Sequence, residues 1–145
     1  MDIKCFLLIP TGGTKERKTE HGSCITPLYK RSDNGEIVTT NDAPIGAIWE
    51  NTWYYPTENS GGFTDWIGSD GKSFTVRTPG GDWCIDSRAS NCTKPDDHIH
   101  KCWCRHGEAP EFTVDKRGNT YNAGAGSILK GNYHGFLING YLTNC

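Results

Sequence analysis

The chain has 145 residues, with fifteen Lys/Arg against seventeen Asp/Glu and a formal net charge of -2. That balance supplies no net positive field to drive phosphate contacts, which argues against a dedicated nucleic-acid binder. The one basic stretch, Lys15, Arg17 and Lys18, is diluted by Glu16 and Glu20 and reads as a solvated loop. No apolar run approaches the ~18 residues of a spanning helix, and residues 6–10 are too short for a signal-peptide core, so the expectation is a soluble, unexported protein with no membrane partner.

Hydrophobic residues make up 34% of the chain, and five Phe, five Trp and six Tyr must supply much of its burial. Seven cysteines, an odd number, leave at least one free, ligating a metal or paired with another chain.

Taken in order, residues 3–9 read as a strand stopped by Pro10 and the Gly12-Gly13 turn, followed by a polar loop to Ser23. The first twenty residues suit an extended arm that a neighbouring molecule orders. Residues 25–29 form a short strand before Asp33-Asn34-Gly35, a hairpin signal leading into 36–40. Residues 45–53 fit a helical turn and a strand equally well. Asp70-Gly71 sits between 63–67 and 72–77, the layout of a hairpin with Phe74 and Val76 inward and Thr75 and Arg77 outward. Residues 82–86 alternate again, with Trp83 and Ile85 on one side and Cys84 on the other, and 87–97 is a polar excursion. Further hairpins are expected across 116–119, joining 111–115 to 120–121, and across Asn139-Gly140, while the glycine-rich 123–128 suggests a tight packing turn. The fold class is therefore all-β, or β-dominant with at most short helices: one sandwich- or barrel-like domain over residues 1–145, built from hairpins of about eight short strands.

The densest chemistry lies in residues 96–106. His98, His100, Cys102, Cys104 and His106 share one parity, so a strand there would project all five from one face and Trp103 from the other. Thiolate and imidazole are the donors that zinc favours. Same-face neighbours stand ~6.6 Å apart at the backbone, so two ligands from this strand and two from elsewhere can share an ion, whereas all five cannot. Candidate ligands are His98, His100, Cys102 and His106, with Cys84 and Cys92 recruited from upstream, His134 from downstream, and His21 and Cys24 in reserve. A structural zinc that ties the 82–106 loop to the sheet is the favoured cofactor. Disulfides joining Cys84 or Cys92 to the 102/104 pair, and free buried thiols, are its rivals. Asp82, Asp86, Asp96, Asp97, Glu108 and Glu111 are the carboxylates from which a catalytic site would draw a base. A cysteine hydrolase, with Cys84 or Cys104 beside His100, His106 or His134, lacks any local signature. Trp49, Trp53, Tyr54, Tyr55 and Trp66 form a third set, read as core plus protein interface in the absence of an adjoining basic stripe.

Residues 76–83 (VRTPGGDW), 85–92 (IDSRASNC), 102–107 (CWCRHG), 114–116 (VDK) and 123–128 (AGAGSI) together resemble an uncharacterised family of small proteins encoded by tailed bacteriophages and prophages. The resemblance spans roughly residues 44–142 and brings no assigned catalytic or binding residues with it. The position of Cys104 is often aliphatic in that family, which weakens a ligand role for Cys104 and leaves Cys92 and Cys102 open. The resemblance implies a structural virion protein, capsid-decorating or tail-associated, assembled in the host cytoplasm with other phage virion proteins and copies of itself, binding rather than turning over. Two alternatives stand beside it: an intracellular phage protein that inhibits a host factor, and a small metal-dependent hydrolase.

Overall fold

Alternation of apolar and polar residues with a period of two needs a sheet covered on at least one face, and a computed structural model shows two such sheets. It describes residues 2–58, 64–89, 92, 96–97, 100–116 and 126–145. In chain order the strands are β1 (Ile3–Lys4), β2 (Phe6–Thr19), β3 (Gly22–Arg31), β4 (Ile37–Val38), β5 (Ala47–Glu50), β6 (Phe74–Thr78), β7 (Gly81–Cys84), β8 (Cys104–His106), β9 (Thr113–Asp115), β10 (Ile128–Lys130), β11 (Tyr133–Ile138) and β12 (Tyr141–Asn144). One sheet runs β4-β3-β2-β5-β6-β7, and the other β1-β12-β11-β9-β8 with β10 also on β11. All pairings are antiparallel except β2 with β5, where Phe6 faces Ala47 and Leu7 faces Ile48. The described residues contain no α-helix, only 3-10 turns at Thr52–Tyr54 and Thr64–Trp66. The protein is the small β-sandwich expected.

The alternation sorts side chains between two cores. Ile48 of β5 joins Phe74, Val76 and Trp83 of its own sheet and Val114, Ile128, Leu137 and Leu142 of the other, so the main core lies between the sheets. Ala47 and Trp49, on the opposite face of β5, pack with Phe6, Leu8, Tyr29, Val38 and Ala43 in a smaller core. Because β5 and β6 are covered on both faces, Thr75 is buried rather than turned outward, and its hydroxyl donates to Asn51 Oδ1 at 2.9 Å.

Several expectations change. Pro10 does not end the first strand: β2 pairs with β5 only through Leu7, so no neighbour needs the N–H that Pro10 lacks, and the register shifts between Pro10 and Thr14. The polar stretch to Ser23 is consequently a β-ribbon, closing with Thr19 opposite Gly22. Residues 64–66 form a 3-10 turn in place of a strand, so Asp70-Gly71 connects a turn to β6. Residues 45–53 divide into strand β5 and a 3-10 turn. Ile85 lies beyond the end of β7, though it is fully buried. The Asn139-Gly140 hairpin is present as β11–β12. The hairpin across 116–119 and the glycine-rich 123–125 lie outside the described residues.

Candidate metal centre

Between β7 and β8 the chain leaves the sheet and returns with residues of the main core, Ile85, Ala89, Cys102 and Trp103. Asp86 anchors the departure by accepting the Phe74 N–H at 2.9 Å and binding Arg105 Nε at 2.8 Å. Two local bonds then turn the backbone. The Cys92 N–H donates to the Ala89 carbonyl at 3.1 Å, and the His100 N–H donates to Asp97 Oδ1 at 3.2 Å.

These turns bring Cys92, His100 and Cys102 together. Their ligating atoms all lie within 4.8 Å of one another, and Cys102 Sγ is 3.3 Å from His100 Nε2. His100 and Cys102 are each 2% exposed, and Cys92 is half-buried. A tetrahedral zinc, with Zn–S near 2.3 Å and Zn–N near 2.0–2.1 Å, holds its ligand atoms about 3.5–3.8 Å apart. The cluster matches that separation to within the movement of a side chain. Both sulfurs are free thiols.

One cation stands beside the sulfurs. Arg88 Nη1 is 3.8 Å from Cys92 Sγ, while Arg88 Nη2 is held by Asp65 Oδ1 at 3.0 Å and by the Asp97 carbonyl. Burial pushes the Cys102 thiol above the ordinary cysteine range and the neighbouring Cys92 adds to this, against a backbone hydrogen bond at Ala89 and the charge of Arg88. Burial, with Arg88 nearby, also pulls Lys101 down.

The structure assembles the donors differently from a strand face. β8 begins only at Cys104, and Cys102 and Trp103, of opposite parity, are both buried. It is the irregular backbone before the strand that lets Cys102 turn toward His100. Cys104 is half-buried and its thiol is pushed up by burial and then by Asp115. His106 is exposed and pairs with Asp115 Oδ1 at 2.9 Å. Cys84 sits in a polar pocket, its sulfur 3.7 Å from Ser73 Oγ and 3.8 Å from Asn51 Nδ2. His134 contacts Ser127 Oγ at 3.0 Å and Cys145 Sγ at 3.6 Å, and Cys24 and His21 are on the ribbon. His98 lies outside the described residues. Arg88 is the site residue that reading by ligand type passes over, although its place four residues before Cys92 is a usable signal.

The aromatic set divides. Trp49 is buried, beneath Arg77 at 5.3 Å from the ring centroid, and Tyr55 donates to Glu50 Oε2 at 2.8 Å. Trp53 and Trp66 are exposed and flank Tyr54 edge to face, at 5.6 and 5.1 Å between centroids.

No family model, curated protein or solved structure matches the chain.

Proposed function

We propose that this protein is a zinc-binding domain in which Cys92, His100 and Cys102 hold the ion and close the connection from β7 to β8. The observation that carries the reading is the convergence of two thiols and an imidazole within 4.8 Å, from positions 92, 100 and 102 of the connection between β7 and β8. Binding free energy at such a site is folding free energy for the segment that carries its ligands.

The test is elemental analysis of natively purified protein beside a count of reactive thiols. The expected result is about one zinc per chain, lost in Cys92→Ser, His100→Ala and Cys102→Ser and retained in Cys24→Ser and Cys145→Ser. Zinc-free protein with its thiols missing from the count would replace the metal with a disulfide, and zinc retained in a Cys92→Ser/Cys102→Ser double variant would move it elsewhere.

A second reading, a small metal-dependent hydrolase, is favoured by the number of donors. Among the described residues three donors converge, which leaves the fourth position of a tetrahedral ion for water, and Asp97, whose Oδ1 accepts the His100 N–H at 3.2 Å, is the adjacent carboxylate. Zinc-dependent cleavage of a chromogenic ester or phosphodiester, absent in His100→Ala, would support turnover; equal rates in the two proteins would end it. The virion role is a separate proposal that rests on the resemblance of residues 44–142, and mass spectrometry of purified particles tests it.

A further inference from the structure

Arg88 and Ala89 also line a cavity of about 450 Å³. Arg88, Lys116, Lys130 and His134 line it, and no carboxylate does so among the described residues. In a chain whose net charge is -2, that is a local segregation of positive charge.

The cations are carried by packed structure. Lys130 sits on β10, whose backbone is pressed against the turn before β7 so closely that a Cβ at Gly80 would stand 1.8 Å from the Lys130 carbonyl oxygen. Lys116 Nζ lies 4.9 Å from the centroid of Trp103, which meets Trp83 edge to face at 4.9 Å. Both indoles line the cavity, as does the exposed Leu129, so one wall is apolar and another cationic. Ser127, hydrogen-bonded to His134 at 3.0 Å, adds a hydroxyl.

We propose that this cavity binds a small organic phosphate, its phosphoryl group facing Lys116 and Lys130 and its body against Trp83, Trp103 and Leu129. The volume is that of a small-molecule site. A phosphate monoester carries close to two negative charges at neutral pH, a better match to the two lysines than a single carboxylate. An extended polyanion is disfavoured by the net negative charge of the rest of the chain. The site stands independently of the zinc: Arg88 lines the cavity, but its Nη1 and Nη2 are turned to Cys92, Asp65 and the Asp97 carbonyl.

Adenosine monophosphate is a suitable probe, titrated at low salt against the tryptophan fluorescence of the natively purified protein, with adenosine and inorganic phosphate alongside. Saturable binding of the nucleotide is expected, at least tenfold weaker in Lys116→Glu/Lys130→Glu, unchanged in the distant Lys4→Glu, and absent with adenosine. Circular dichroism establishes that the variants are folded, and Lys116→Gln and Lys130→Gln singly serve if the double reversal is not. No saturable binding, or binding indifferent to the two lysines, would overturn the proposal, and inorganic phosphate binding as tightly as the nucleotide would overturn the role of the apolar wall. Repeating the titration on Cys102→Ser protein separates this cavity from the metal centre. Nucleotide binding that persists there supports the cavity, and binding that disappears with the zinc while the fold remains places the phosphate on the ion and overturns it.

Discussion

Asp86 and Arg105 show what a single buried charge demands of its neighbours. Their side chains are 3% and 8% exposed, and the carboxylate divides its oxygens between Arg105 Nε and the Phe74 N–H. Arg105 also reaches Asp70 Oδ1 at 2.7 Å and stacks over Phe74 at 4.8 Å. Removing the Asp86 carboxylate leaves the Phe74 N–H unpaired and Arg105 with Asp70 as its one remaining carboxylate, so Asp86→Ala should cost about 3 kcal/mol in urea unfolding, the low end for a broken buried pair. Adding Arg105→Met should recover part of that loss, and a double variant no more stable than Asp86→Ala would show that the hydrogen bond to Phe74, not the charge, dominates. Cys5 makes a different demand. It is 3% exposed, and burial pushes its thiol up to about 12, a backbone hydrogen bond at Leu142 opposing. Because the folded value lies above the unfolded one, ionisation favours the unfolded chain: this contribution to stability is whole below about pH 9 and is lost as pH rises toward 12, by about 2 kcal/mol at pH 10.5. Tyr55, also pushed up to about 12, acts in the same direction. Cys5→Ala should therefore be less stable than the natural chain at pH 7 through lost packing, yet decline more slowly between pH 9 and 11. Parallel declines would assign the alkaline loss to other groups.

At the scale of elements, the β2–β3 ribbon stands apart because none of its tip is core. From Ile9 to Ile25 every residue is exposed, including Ile25 at 72%, and the two strands pair there only with each other. An isolated two-stranded ribbon is marginal in water. Replacing residues 12–26 with a two-residue turn should leave the midpoint of thermal unfolding within a few degrees, and amides 14–19 should exchange faster than those of β5 and β6. A collapse of the fold on this deletion would mean that the ribbon supports the smaller core. The same ribbon shows why sequence reading succeeds in some places and fails in others. Asn139-Gly140 and the alternation of β6 and β7 are legible because turn chemistry and burial agree there. Residues 11–19 carry no apolar alternation, since neither face is buried, and so nothing in them distinguishes strand from loop. Thr75 fails for the opposite reason, being covered on a face that the pattern assigns to water. In the metal centre, donor types announced His100 and Cys102, but period-two reasoning grouped them with Cys104 and His106, which β8 carries away from the cluster. Cys92 was legible only as one recruit among several, because its distance from Cys102 depends on two turns that propensity does not specify.

For the whole molecule, the question is how far an ion at the proposed metal centre would support the sandwich. Ile85, Ala89, Cys102 and Trp103 belong to the connection between β7 and β8, and all four pack into the core that the two sheets share. An ion bound by Cys92, His100 and Cys102 fixes the span that delivers those side chains, so its binding energy is coupled to the packing of both sheets. By mass action a ligand that binds only the folded chain adds about 2.7 kcal/mol when its free concentration is a hundred times its dissociation constant. Chelation should therefore lower the midpoint of thermal unfolding by several degrees, and readdition of zinc should restore it, more zinc raising it further. Trp83 and Trp103, in edge-to-face contact at 4.9 Å, supply a local reporter, since loosening the connection separates their rings and changes the near-ultraviolet circular dichroism before the sheets unfold. Cys102→Ser should abolish the response to chelator, whereas Cys84→Ser, whose sulfur faces Ser73 and Asn51, should respond as the natural chain does. A midpoint that chelator leaves unmoved in zinc-loaded protein would detach the metal from the core and leave the three donors without a structural role.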